Sequence, residues 1–161
     1  MSTQATIAPV RKTITVEASQ QRAFDVYTRG FDSWWPRSHH LGGQPLEKAT
    51  IEPFAGGRCY ERDTDGSECD WGRVLVWEPP ARLVFSWAIT PQWKPEPDPA
   101  KASEVEIRFI AEGPSRTRIE LEHRGFERHG EGAETMRQGV GGEGGWTMLL
   151  DLFAKAVTAR G

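Results

Sequence analysis

The chain has few cysteines, no basic excess and no long apolar run, and each shortage excludes a class of protein. Cys59 and Cys69 are its two cysteines, and they lack the pair spacing of a metal site. The formal net charge is −3 and the pI is near 5.8, which argues against binding to nucleic acid or an anionic membrane. No apolar run approaches the ~20 residues that span a bilayer, and no signal segment opens the chain. We therefore expect a soluble protein in a reducing cytoplasm.

Motifs of catalysis and of cofactor binding are also missing. There is no GxSxG nucleophile motif, and both cysteines lie on β-type runs without a following helix N-terminus. The run Gly139–Gly145 (GVGGEGG) lacks the Gly-Lys-Ser/Thr ending of a phosphate loop, so we interpret the stretch Gly130–Gly145 as a flexible hinge. His39-His40 are adjacent and their side chains diverge, so we expect solvated loop histidines and no metal site. The sequence favours a protein without a cofactor and leans against an enzyme.

The length and the tryptophan content are the positive features of the composition. A chain of 161 residues with 37% hydrophobic content is long enough for one domain with a sizeable core. We expect a flexible tail over residues 1–10 and a single domain over residues 11–159. Seven tryptophans are present, and such large aromatic side chains are expected to line a core, a cavity or an interface.

Hydrophobic periodicity predicts a mostly antiparallel sheet with helices near both ends of the chain. Alternation of apolar and polar residues predicts strands over Arg11–Glu17, Glu47–Pro53, Arg58–Asp63, Cys69–Trp77, Leu83–Trp87, Ser103–Ala111 and Arg116–His123. Helical spacing predicts helices over Gln20–Arg29, capped by Ser19, over Gly30–Pro36, and from Gly144 to the end. Ser38–Pro45 is interpreted as a loop. The proline-rich stretch Thr90–Ala102 cannot pair in a sheet, so it predicts a mobile flap or a crossover.

Three segments together resemble a known family. They are Trp71–Trp87 (WGRVLVWEPPARLVFSW), Arg116–Phe126 (RTRIELEHRGF), and Gly145-Trp146 with Leu149, Leu150 and Phe153 behind it. They resemble the homologues of the activator of the heat-shock-protein-90 ATPase, within the START-like (helix-grip, SRPBCC) superfamily. The resemblance covers roughly Thr13 to Val157. It implies an α+β helix-grip fold, in which a curved antiparallel sheet of about seven strands wraps around a long C-terminal helix, with two short helices after the first strand.

The resemblance also implies a cavity between the sheet and the last helix, which holds apolar or amphipathic molecules in relatives. An aromatic wall with a few polar anchors suits such a site. The candidate ligand-binding residues are Trp34, Trp35, Glu61, Trp71, Phe85, Trp87, Phe109, His123, Trp146 and Leu150. Glu61 shares strand parity with Cys59 and is the acidic group to test as a cavity anchor, although we expect it at the surface. His123 is either a structural histidine that ties its strand to the last helix, or a group that orients or deprotonates a ligand.

Three functions remain open from the sequence. The first is a non-catalytic module that encloses a small hydrophobic or amphipathic ligand. The second is an enzyme of the cyclase or hydrolase type, with His123 as its acid/base. The third is an interaction domain with a chaperone partner that stimulates a heat-shock ATPase through an exposed apolar patch. The protein is expected to be a monomer or a homodimer.

Overall fold

The computed structural model describes residues 7–39, 41 and 44–158. The strands are β1 (Val10–Val16), β2 (Leu46–Ile51), β3 (Arg58–Asp63), β4 (Glu68–Glu78), β5 (Arg82–Trp87), β6 (Ser103–Gly113) and β7 (Arg116–Arg124). The α-helices are α1 (Gln20–Tyr27), α2 (Phe31–Trp34), α3 (Ala133–Gly141) and α4 (Met148–Thr158). Short helical turns lie at Pro99–Lys101, Phe126–His129 and Glu143–Thr147.

The strands form one curled antiparallel sheet in the order β1-β7-β6-β5-β4-β3-β2. Consecutive strands from β2 to β7 are neighbours, as expected for a meander, and β1 closes the other edge by pairing with β7. Alternation along β7 turns Ile119, Leu121 and His123 inward and leaves the residues between them partly exposed. This confirms the predicted α+β helix-grip architecture and the hairpin on either side of Pro79-Pro80.

Helices α1 and α4 cover the inward face of the sheet. Helix α1 begins where predicted, because the hydroxyl of Ser19 accepts a hydrogen bond from the backbone N–H of Arg22. Phe24 of α1 packs edge to face on Phe109 of β6 with ring centroids 5.2 Å apart. Tyr27 reaches Phe153 of α4 at 5.2 Å. Aromatic side chains thus fill this end of the space between sheet and helices.

The outer face of the sheet carries charged residues in place of an apolar layer. Glu106, 4% exposed, accepts hydrogen bonds from Arg82, Arg108 and Arg124. Burial acts to raise the pKa of this carboxyl, but the three guanidinium groups outweigh burial and hold its pKa at about 2. Its negative charge is therefore kept at any ordinary pH.

Two sequence predictions are wrong in detail. Val10, assigned to the flexible tail, opens β1 and is buried, and Ile7 packs against the core; residues 1–6 and 159 lie outside the described residues. The stretch Gly130–Gly145, interpreted as a flexible hinge, contains the nine-residue helix α3, whose Met136 and Val140 are buried. Burial of that apolar face offsets the poor helix propensity of its glycines.

Among the described residues, no helix is long and apolar enough to cross a membrane.

Candidate functional site

A cavity of about 300 Å³ lies at the end of the sheet where β5 ends and the chain enters α4. Strands β3, β4 and β5 contribute its floor, and loops and helix α3 supply the rest. The lining residues are Trp35, Ser38, His39, Leu41, Glu61, Trp71, Trp87, Ile89, Trp93, Gly139 and Gly144. Such a composition, apolar with a few polar groups, is typical of small-molecule sites.

Four indole rings dominate the wall of this cavity. Trp35 and Trp71 have nearly parallel ring planes, 8° apart, with centroids 6.2 Å apart. Trp87 meets Trp71 at 5.9 Å with an interplanar angle of 63°. Trp93 lies on the loop after β5. These flat π surfaces favour contact with a flat aromatic ligand, since aromatic rings gain from stacked or edge-to-face arrangements.

Glu61 brings a buried carboxylate to the cavity. Its alternation with Cys59 along β3 turns both side chains inward, and Glu61 is 4% exposed, so the expected surface position is wrong. Both carboxylate oxygens lie 2.9 Å from the backbone N–H of Leu41, which donates to them. This contact fixes the loop after α2 against the sheet. It also offsets part of the free-energy cost of burying the carboxylate.

His39 joins two segments of the cavity rim. Its Nε2 lies 3.4 Å from the carbonyl oxygen of Gly144, and its Nδ1 lies 3.1 Å from the hydroxyl of Ser38. The indole N–H of Trp35 donates to the His39 carbonyl at 2.9 Å. His39 was interpreted as a solvated loop histidine, whereas it is partly buried and lines the cavity. His40 lies outside the described residues.

The proline-rich segment after β5 covers one side of the cavity. Ile89 pairs with Pro95 in an isolated bridge, and the turn between them places Trp93 at its tip. The backbone N–H of Trp93 donates to the carbonyl oxygen of Thr90 at 2.8 Å. Trp93 has φ +61°, a left-handed conformation that a bulky residue rarely adopts, and is 47% exposed. Its ring lies against Gly139 of α3, where an added Cβ would come within 3.3 Å.

His123 lies behind the cavity wall in a hydrogen-bonded network. The indole N–H of Trp146 donates to Nδ1 at 3.0 Å, and Nε2 lies 2.8 Å from the hydroxyl of Ser103. An indole nitrogen only donates, so Nδ1 is the unprotonated nitrogen and Nε2–H donates to Ser103. The hydroxyl oxygen of Ser103 also lies 2.8 Å from Nε2 of His129. Burial, and next the nearby His129, lower the pKa of His123 well below its usual value, which keeps this ring neutral.

The ten candidate residues from the sequence fall into three groups. Trp35, Glu61, Trp71 and Trp87 line the cavity. His123 and Trp146 lie outside the lining and pack against Trp87, with ring centroids at 5.3 and 5.6 Å. The remaining four are buried in the core outside the lining: Trp34, Phe85, Phe109 and Leu150. Strand parity for Phe85 and Phe109, and helical spacing for Trp34 and Leu150, placed these four residues correctly on buried faces, but neither pattern separates core from cavity.

Sequence reasoning missed the lining residues that lie outside the strands, in loops, in helix α3 and in the turn before α4. They are Ser38, His39, Leu41, Ile89, Trp93, Gly139 and Gly144. A large aromatic residue inside a proline-rich loop was the one available signal, and it points to Trp93.

Neither cysteine is set up as a nucleophile. Burial is the main cause that raises the pKa of Cys59, and burial followed by the charge of Glu61 raises that of Cys69 to about 11. Both thiols are therefore protonated near neutral pH. Within the described part of the chain, no group of three or more His, Cys, Asp and Glu side chains is placed to hold a metal ion.

Known structures share this fold over nearly the whole chain. An anthrahydroquino-γ-pyrone synthase, Txn09, is 42% identical, with 93% of this chain and 97% of that chain covered and a TM-score of 0.66. The self-sacrificing resistance protein CalC from Micromonospora echinospora is 29% identical, with coverage of 95% and 96% and a TM-score of 0.69. CalU16 from the same organism is 24% identical, covers 98% and 87%, and has a TM-score of 0.60, a likeness of fold alone.

No match was found among curated proteins. The family model described as "Activator of Hsp90 ATPase homolog 1-like protein" matches residues 17–158, a span from the end of β1 to the end of α4. The structural and family matches agree with the helix-grip sheet and its C-terminal helix. This chain therefore belongs to the family of Activator of Hsp90 ATPase homolog 1-like proteins.

Proposed function

We propose that this protein binds a compact, planar aromatic molecule in the cavity at the N-terminal end of α4. The observation that carries the proposal is the wall of four indoles around a volume of about 300 Å³. That volume is at the small end of ligand sites, which span roughly 300–1,000 Å³, so a ligand of a few fused rings suits it better than a long chain.

The similarity to the synthase Txn09 supports the same class of ligand. At 42% identity over 93% of this chain, the two proteins are close enough for the aromatic chemistry named for that synthase to guide the choice of probes. A hydroxylated anthraquinone and xanthone are therefore the first ligands to test. Dodecanoic acid, which is apolar but flexible, is the matched comparison.

Calorimetric titration with tryptophan fluorescence as a second readout tests the proposal. Xanthone or the anthraquinone is expected to bind with one site per chain, and dodecanoic acid at least about tenfold more weakly. Trp71→Ala removes part of the wall and should weaken binding about tenfold or more, because a buried aromatic contact is lost.

Trp77→Ala is the control variant. Trp77 also packs on an aromatic ring, with its centroid 5.1 Å from that of Phe24, but it lies outside the cavity lining. This change should cost stability and leave affinity within about twofold. If neither planar probe binds, or the fatty acid binds best, the proposal is wrong.

A second candidate function is catalysis on the bound aromatic molecule. The observation that favours it is the 42% identity to a chain named as a synthase. Its acid/base groups would be Glu61 and His39, which line the cavity, in place of His123, whose two ring nitrogens are both hydrogen-bonded outside the lining. The protein is incubated with the anthraquinone, and the mixture is analysed by chromatography and mass spectrometry. A new product should then appear with the wild-type protein and be absent with Glu61→Gln. Recovery of unchanged ligand from the wild-type protein would contradict catalysis and leave ligand binding as the one proposed function.

The chaperone-associated alternative stays a prediction. Among the described residues, the exposed large apolar side chains are Phe54, Leu75 and Trp93, and Trp93 already covers the cavity. Stimulation of a heat-shock ATPase that survives Trp71→Ala would favour this alternative over ligand binding.

A further inference from the structure

Trp93 has a backbone conformation that is unfavourable for a tryptophan. Its φ is +61°, in the left-handed region that bulky side chains rarely adopt. Among the non-glycine residues that the structure describes, Trp93 alone has a positive φ. A conformation of this kind lowers the stability of the fold, persists only where the surrounding chain imposes it, and is found most often at binding sites. The presence of a tryptophan here therefore requires a reason other than folding.

Backbone hydrogen bonds close the turn that carries Trp93. The N–H of Glu96 donates to the carbonyl oxygen of Ala88 at 2.8 Å. The N–H of Thr90 donates to the carbonyl oxygen of Lys94 at 2.7 Å, and the N–H of Lys94 donates to the Thr90 hydroxyl at 3.1 Å. Together with the bond from the N–H of Trp93 to the Thr90 carbonyl, these contacts fix the backbone on both sides of Trp93. The turn thus sets the direction in which the indole leaves the chain.

The indole of Trp93 does not contact the other rings of the cavity wall. Trp35 contacts Trp71, and Trp71 contacts Trp87, with ring centroids 6.2 and 5.9 Å apart. Within the described part of the chain, Trp93 has no aromatic ring contact, and it is 47% exposed. Its neighbour in α3 is Gly139, which has no side chain to cover the ring. A large part of this indole is therefore open to another partner.

Two simpler roles for Trp93 do not account for these observations. A residue that served only the turn would be glycine or asparagine, which adopt a positive φ at little cost. A residue that served only the core would be buried among apolar side chains, as Trp34 is. Trp93 instead lines the cavity while about half of it is exposed. This arrangement suits a ring that a ligand covers.

We propose that Trp93 is a preformed clamp for the ligand, in which the turn holds the indole at the cavity and a ring of the bound molecule stacks on it. This inference rests on the proposed function, and it means that the chain loses folding stability at Trp93 and gains affinity there. Because the indole is in place before binding, little conformational entropy is lost when the ligand stacks on it. The ligand then buries indole surface that the free protein exposes.

Trp93→Asn tests this exchange of stability for affinity. Asparagine tolerates the left-handed conformation, so the melting temperature should rise by about 2–4 °C. Loss of the stacked indole should weaken xanthone binding about fivefold to tenfold. Trp93→Phe keeps a ring that can stack, so it should keep xanthone affinity within about threefold without a rise in the melting temperature.

Phe54→Asn is the control variant, because Phe54 is another exposed aromatic residue, at 53%. It lies outside the cavity lining and does not have a positive φ. This change should leave xanthone affinity within about twofold and should not raise the melting temperature.

The outcomes separate this inference from the function on which it rests. Failure of xanthone to bind the wild-type protein overturns the proposed function. If xanthone binds the wild-type protein and Trp93→Asn with equal affinity, the clamp is wrong while the binding function stands. A melting temperature of Trp93→Asn that falls or stays the same shows that the tryptophan costs the fold nothing, and it also overturns the clamp.

Oxidation by hydroxyl radicals, read by mass spectrometry, measures the burial of the indole in the wild-type protein and does not depend on any variant. Saturating xanthone should slow the oxidation of Trp93 at least about threefold, because the stacked ligand covers the ring. Phe54 should be oxidised at the same rate with and without xanthone. Unchanged oxidation of Trp93 at saturation contradicts the proposal, even if Trp93→Asn does not fold.

Discussion

The indole nitrogen of Trp146 lies 3.0 Å from Nδ1 of His123, and this hydrogen bond joins the turn before α4 to the end of β7. Both side chains are fully buried, at 1% and 0% exposure. The bond also sets the tautomer of His123 and thereby directs Nε2–H toward Ser103. The last helix is thus held on the sheet by a polar contact in addition to its apolar face.

Trp146→Phe removes this bond and leaves Nδ1 of His123 buried without a donor. We expect the free energy of unfolding to fall by about 2–4 kcal/mol, the sum of an unpaired buried acceptor and lost ring contacts. Chemical denaturation measures it. Leu150→Val is the control for apolar loss alone and should cost about 1 kcal/mol. An equal loss in both variants would show that the hydrogen bond adds nothing.

The sheet could be predicted from the sequence because its signal is local. Along β7, strict alternation places Ile119 and Leu121 inward, and the same parity predicted burial of His123. Helix α3 could not be predicted, because its glycines have poor helix propensity and its stability depends on Met136 and Val140 packing against distant parts of the chain.

The cavity lining could be predicted mainly where strands supply it, and Trp35, which follows α2, is the exception. Trp71, Trp87 and Glu61 face inward by parity, whereas His39 and Trp93 reach the cavity through the paths of loops. No periodicity encodes such a path. Phe109 shows the complementary limit, since it has the inward parity of a wall residue but packs on Phe24 and Tyr27 in the core.

The histidine network predicts a loss of stability below neutral pH. Burial lowers the pKa of His123 and, in part offset by Glu96, that of His129. The unfolded chain, with histidine pKa near 6.5, therefore binds more protons than the folded protein as the pH falls through this range. Stability is expected to decrease from about pH 6.5 downward, by up to 1.4 kcal/mol per pH unit for each histidine that ionises only on unfolding.

Melting temperatures between pH 5 and pH 8 measure this dependence. His129→Gln should flatten the slope. Glu106 affects stability in a separate pH range. Because the pKa of its carboxyl is about 2 in the folded protein, its contribution to folding stability is lost only as the pH falls below about 4.5. A wild-type slope near zero between pH 5 and pH 6.5 would contradict the prediction.

Gly139 permits Trp93 to lie against α3. An alanine Cβ at this position would approach a ring carbon of Trp93 to 3.3 Å, and the ring, on an exposed loop, is expected to move away. Gly139→Ala should keep or raise stability by up to about 1 kcal/mol, through helix propensity, while weakening xanthone binding severalfold. In a Trp93→Ala background, the same change should raise stability without any further loss of affinity. Unchanged affinity in the single variant would show that Trp93 does not contact the ligand.

Two adjacent glycines before α4 are expected to respond in opposite ways. A Cβ on Gly145 would overlap the carbonyl oxygens of Val140 and Gly139, and these backbone atoms cannot yield without moving α3. Gly145→Ala should therefore cost about 3 kcal/mol or more and displace Trp146 from His123. A Cβ on Gly144 meets nothing within 4 Å, so Gly144→Ala should change stability by less than about 0.5 kcal/mol. Chemical denaturation of the two variants measures this contrast in stability. Both variants lose a glycine from the same turn, so each is the control for the other. Equal losses of stability would mean that the turn requires chain flexibility and not the close approach of α3.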